Sequence, residues 1–143
     1  MKRTASAVWT GALKDGQGKI STESGVLADA QYSFGTRFEE GKGTNPEELI
    51  AAAHASCFAM ALSAEIGKAG KTPEKIETEA AVTLLKTDAG FTVTAVHLKV
   101  KAKVPGWDPA SFKTTAEAAK VGCPISRLLK AEITLETRLE GWT

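Results

Sequence analysis

Apolar and polar positions alternate with a period of two along most of this chain and change to helical spacing in three places. Residues 3–21 alternate and carry turn residues at Asp15 and Gly16, which predicts a hairpin, with a further short strand near residues 31–34. IETEAAVTLL puts Ile76, Thr78, Ala80, Val82 and Leu84 on one face. The turn TDAG then leads into FTVTAVHLKVKAKV, where Val96, Leu98, Val100, Ala102 and Val104 face one way and His97, Lys99, Lys101 and Lys103 the other. That is a long antiparallel hairpin with one wet face. Its apolar residues occupy odd positions from Phe91 to Ala95 and even ones afterwards, so a bulge is expected near Ala95. AEITLETRLE closes the chain as a last strand with Ala131, Ile133, Leu135, Thr137 and Leu139 inward.

The helical stretches are marked by their starts. GTNPEEL offers Thr44 or Asn45 as cap, Pro46 at the first position and two glutamates in the first turn, where negative charge suits the helix dipole. The helix should run to about Lys68 and stop at Gly70. Small residues, from Ala51 to Ala64, cover several of its faces, which predicts burial on more than one side and close approach of other backbone. One domain has limited material to wrap such a helix, so a second subunit is expected to help. DPASFKTTAEAAKVG reads as a second helix capped by Asp108, and GCPISRLLK as a short third with Cys123 at its cap.

The whole is an α+β pattern, and 143 residues suit one domain, 1–143. Lysine plus arginine is 18 against 17 for aspartate plus glutamate, with no basic stripe, which argues against a nucleic-acid partner. MKRTASAVWT has no apolar run of signal-peptide length behind its basic residues. The most apolar run, residues 49–62, is interrupted by His54, Ser56 and Cys57, and reads as a core helix, not a membrane span. These features point to the cytoplasm, where two cysteines are either inert packing or redox chemistry.

Cys123, followed by proline, places its thiol beside unpaired N–H groups at a helix start; this favours thiolate, or is simply a tolerable way into a helix. Cys57 lies mid-helix among apolar residues, and burial alone would raise its pKa and leave it inert. Bringing a thiol from about 8.5 to about 6.5 takes roughly 2.7 kcal/mol, whereas an exposed ion pair supplies about 0.2–1 kcal/mol. An activating arginine must therefore be partly buried and held by a carboxylate. Of four arginines, Arg37, between Phe34 and Phe38, and Arg127 are the candidates, with Glu47 and Glu48 as carboxylates. Glu47 and Cys57 are about 15 Å apart along one straight helix, too far to share a small site. Either the helix breaks early or the glutamate acts from another subunit, which favours a homodimer with sites at its interface. His54, three residues before Cys57, is more simply a packed polar residue than the base of a cysteine hydrolase, and two cysteines and two histidines lack the spacing of a zinc site.

The stretches KGTNPEELIAAAHASCF, STESGVL, TRFEEGKGTNPEEL, DAGF and GCPISRLLKAEITL resemble the osmotically inducible protein C (OsmC) family of thiol peroxidases, which includes the organic hydroperoxide resistance proteins. AAAHASCF is closer to the OsmC branch. The resemblance covers nearly the whole chain. It implies an intertwined α+β homodimer, with antiparallel sheets wrapped around long buried central helices and two interfacial sites. It further implies that Cys57 is the peroxidatic cysteine and Cys123 the resolving one, with Arg37 and Glu47 activating the thiolate. The implied reaction is reduction of organic hydroperoxides in preference to hydrogen peroxide. It needs no metal or bound cofactor, and an external dithiol resets the disulfide. Phe38, Met60, Ile125 and Leu128 are the apolar side chains expected around the substrate.

Overall fold

Alternation in the N-terminal third produces three antiparallel strands, β1 (Ala5–Thr10), β2 (Gln17–Thr22) and β3 (Ala30–Tyr32), in that order across the sheet. The computed structural model describes residues 1–142, which divide into two compact units, Met1–Leu49 and the remainder from Ile50. In the first unit the β1–β2 connection closes through the Gly16 amide on the Ala12 carbonyl at 2.8 Å, as the Asp15–Gly16 turn signal anticipates. Trp9 packs against Tyr32 with ring centroids 5.5 Å apart. Gly18 lies beneath that tyrosine, where a Cβ would collide with the ring. β1 is exposed along its whole length, including Val8.

The third strand is shorter than the pattern suggests. Phe34 does not end a strand; it opens a single-turn helix, α1 (Phe34–Phe38), and Arg37 rides on this helix instead of a loop. A capping box creates it: the Ser33 hydroxyl accepts from the Thr36 amide, and the Thr36 hydroxyl accepts from the Ser33 amide at 2.8 Å.

α2 (Pro46–Lys68) starts and stops where its signals stand. Asn45 is the cap, accepting the Glu48 amide at 2.7 Å, and Gly70 at φ +79° closes the helix in a Schellman motif, with the Lys71 amide on the Ile66 carbonyl. The helix is unbroken through its 23 residues. Its burial differs from expectation. One stripe, His54, Phe58, Leu62 and Ile66, is buried at a spacing of four, while Ala52, Ala53, Ser56, Met60, Ser63 and Ala64 are exposed in the single chain. By length and apolarity alone the whole helix would suffice to cross a membrane, a test that a core helix also passes. What favours a packed helix is that the buried stripe supplies Phe58, Leu62 and Ile66 to a protein core.

In the second unit β4 (Lys75–Thr87) and β5 (Gly90–Lys103) form the long hairpin. Thr83 pairs with Ala95 and Leu84 with Val93, so Thr94 is the extra residue of the expected bulge. Beyond it Val96, Leu98, Val100, Ala102 and Val104 are all buried. Asp108 caps α3 (Pro109–Gly122) through the Ser111 amide at 2.9 Å, and α4 (Pro124–Leu128) follows with Cys123 at its cap. β6 (Glu132–Leu139) pairs with β5 in parallel, so this sheet is mixed instead of wholly antiparallel. The cause is the α3–α4 crossover, which returns the chain to the end of the sheet where β5 began. Phe112, Ala116 and Ala119 of α3 join the α2 stripe and the inner face of β5 in one core.

Candidate active site

Arg37 is held by its neighbours in sequence and by the start of α2. Its Nε donates to Glu47 Oε1 at 2.7 Å, and its guanidinium lies 5.3 Å from the centroid of the Phe38 ring, which itself packs on Phe34. Asn45 fastens the two helices by donating to the Thr36 carbonyl at 3.1 Å, beside the residue that carries the guanidinium. The Arg37 side chain remains 38% exposed and that of Glu47 12%. In the single chain, then, the pair is formed but only partly desolvated. Arg3, Arg127 and Arg138 are exposed. Beside Arg37 opens an apolar cavity of about 240 Å³ lined by Trp9, Leu13, Tyr32, Ser33, Phe34 and Phe38. Phe38 is the one residue of the expected apolar set found there; Met60 and Leu128 stand exposed and Ile125 packs on the core of the second unit.

The second unit holds the two cysteines, both free. Cys57 projects from α2 and Cys123 caps α4, and the two thiols adjoin. Burial pushes the Cys57 thiol up, the Ile125 amide donating to its sulfur opposes this, and the adjoining Cys123 raises it further. The helix-start amide therefore serves Cys57, not Cys123 as the Cys-Pro sequence suggests. Pro124 has no N–H, so Ile125 offers the first free amide of α4, and Cys123, fully buried, makes no capping bond with its own side chain.

His54 is fully buried one turn before Cys57, and its Nε2 hydrogen-bonds with Ser126 Oγ at 2.8 Å, not with Cys57. Its Nδ1 is buried with no partner among the described residues, and burial lowers its pKa below the ordinary 6.5. Ser126 carries no signal in sequence, because its role follows from α4 lying along α2. His97 bonds Thr134 at 2.6 Å on the solvent face of the sheet. Among the described residues no three of His, Cys, Asp and Glu gather as metal ligands.

A family model described as OsmC-like protein matches residues 39–138. The chain is 54% identical over 139 residues, 97% of either chain, to peroxiredoxin OsmC of Escherichia coli strain K12. It is 32% identical over 126 residues to organic hydroperoxide resistance protein OhrB of Bacillus subtilis, covering 86% of this chain and 89% of that one. The crystal structure of B. subtilis OhrB superposes with a TM-score of 0.67 at 25% identity over 96% of this chain and 98% of that one. An OsmC-like protein from Mycoplasma pneumoniae reaches 0.75 at 15% identity over 97% of each chain, a likeness of fold alone.

Proposed function

The chain belongs to the OsmC family, and on that premise we propose that it is a cysteine-based peroxidase that reduces organic hydroperoxides, and hydrogen peroxide more weakly, to alcohols. The observation that carries this reading is the contact between two free thiols, one of which also receives a helix-start amide. The Cys57 thiolate attacks the distal oxygen of the hydroperoxide and the O–O bond breaks. The alkoxide leaves and takes a proton from water, and Cys57 is left as a sulfenic acid. The Cys123 sulfur then attacks that of Cys57, hydroxide leaves with the Cys123 proton as water, and a disulfide remains. An external dithiol reduces it, ending as its own disulfide, so no bound cofactor or metal enters the cycle.

Arg37, fixed by Glu47, supplies the cation that Cys57 needs. Burial and Cys123 both disfavour its thiolate, and the Ile125 amide is the lone opposing group among the named influences. Since α2 is unbroken, Glu47 and Cys57 of one helix stay about 15 Å apart. We assign the Arg37–Glu47 pair of each site to the second subunit of a homodimer. The exposed β1 strand and the exposed small-residue faces of α2 support such an assembly. Covering them would also complete the desolvation of Arg37. The aromatic cavity beside Arg37 suits the organic part of a hydroperoxide. A cytoplasmic location accords with thiols that cycle.

The test is consumption of cumene hydroperoxide or tert-butyl hydroperoxide with dithiothreitol. Cys57→Ser is expected to abolish turnover, and Cys123→Ser to complete one turnover and stall as sulfenic acid. Full turnover by the Cys57 variant would overturn the reading.

A further inference from the structure

Two side-chain contacts link α2 to the start of α4, and their numbering is reciprocal. His54 meets Ser126, and Cys57 meets Cys123. Three residues separate the partners on each side, so both pairs fall on one face of each segment, and the segments run in opposite directions. α4 has only five residues, and among them Ser126 is the buried one. So short a helix holds its place through few contacts, and its buried polar one is the bond to a histidine with no exposure.

We propose that the His54–Ser126 hydrogen bond is the positioning contact for disulfide closure, clamping α4 so that Cys123 stays within reach of Cys57. This rests on the disulfide step of the peroxidase reading. His54 and Ser126 touch neither peroxide nor sulfur in this role. They act through the placement of Cys123, by keeping the two sulfurs at a high effective concentration. The Ser126 hydroxyl suits the task because a buried imidazole nitrogen left without it would have no partner on either side of the ring.

Two measurements test the clamp. The first is the equilibrium between dithiol and Cys57–Cys123 disulfide in a glutathione redox buffer, which requires no peroxidase activity. The second follows one equivalent of cumene hydroperoxide by rapid quench, with dimedone trapping the sulfenic acid. Ser126→Ala is expected to lower the disulfide equilibrium constant about tenfold and to divert Cys57 from disulfide to dimedone adduct. Ser126→Thr, which keeps the hydroxyl, should restore both. His54→Phe fills the same buried stripe without a nitrogen and carries the test if Ser126→Ala does not fold. It should keep its melting temperature and still close poorly. Closure by the folded variants as readily as by wild type, in both measurements, overturns the proposal. If the wild type gives no sulfenic acid with hydroperoxide while the glutathione equilibrium still separates the variants, the peroxidase reading fails and the clamp stands.

Discussion

At the scale of single residues, the proposed chemistry turns on the sulfur of Cys57, whose buried position and neighbouring thiol both work against ionisation. On the proposed mechanism the Arg37 cation offsets both. Arg37→Ala is expected to move the pH midpoint of Cys57 alkylation by iodoacetamide upward. Thiolate at pH 7 should become scarcer, and the peroxidase rate should fall with it. An unchanged alkylation profile would remove the cation from the account. His54 makes the opposite kind of prediction. Its pKa is lowered in the folded chain, so below its ordinary 6.5 the unfolded chain binds more protons than the native one. Its contribution to stability is thus complete above that pH and is lost as the pH falls. Urea midpoints of wild type should drop more between pH 7.5 and 5.5 than those of His54→Gln; equal drops would show that His54 is not the group responsible. Cys57 and Cys123 were legible as candidates because the chain has two thiols, and Arg37 and Glu47 only through the family resemblance, the residues alone leaving Arg127 and Glu48 open. Ser126 and the Ile125 amide were not, since both acquire their roles only when α4 is laid on α2.

At the scale of elements, local signals proved reliable where they were strong. Asn45, Asp108 and Gly70 terminate helices where sequence places them, and the change from odd to even apolar positions falls on the bulge at Thr94. Two features escaped. α1 is five residues long and depends on a reciprocal Ser33–Thr36 cap that alternation alone hides. The parallel pairing of β6 depends on which end of the sheet the α3–α4 crossover reaches, a matter of topology that no residue in β6 records. Asn45 joins element and site, since one side chain caps α2 and tethers the Thr36 carbonyl next to Arg37. Asn45→Ala should cost about 1 kcal/mol in urea unfolding, as a lost cap does. It should also slow peroxide reduction, whereas Asn45→Asp, which keeps the cap but cannot donate to Thr36, should lose activity with little loss of stability. Full activity in both variants would mean that Arg37 is placed without this tether.

At the scale of the whole molecule, an uninterrupted α2 turns the placement of Glu47 into a question about subunits. One rigid helix does not bring its tenth-removed residue back to Cys57, so on the proposed mechanism the Arg37–Glu47 pair of each site comes from a second copy. Cys57→Ser chains, expected to be inactive alone, and Arg37→Ala chains, expected to be strongly slowed, can be co-expressed with different tags and purified through both. In a two-fold dimer with exchanged residues, one site of the mixed dimer joins the intact Cys57 of one chain to the intact Arg37 of the other, and its companion site lacks both. The mixed dimer should therefore recover about half of the wild-type rate. If every site were built within one chain, each chain would carry its own defect and the mixture would show no more than the residual rate of the Arg37 variant. Size-exclusion chromatography with light scattering on the same preparation is expected to give the mass of two chains. Because the comparison is made on one purified species, a loss of folding would register as a loss of dimer, and an inactive but intact dimer would refute the exchange.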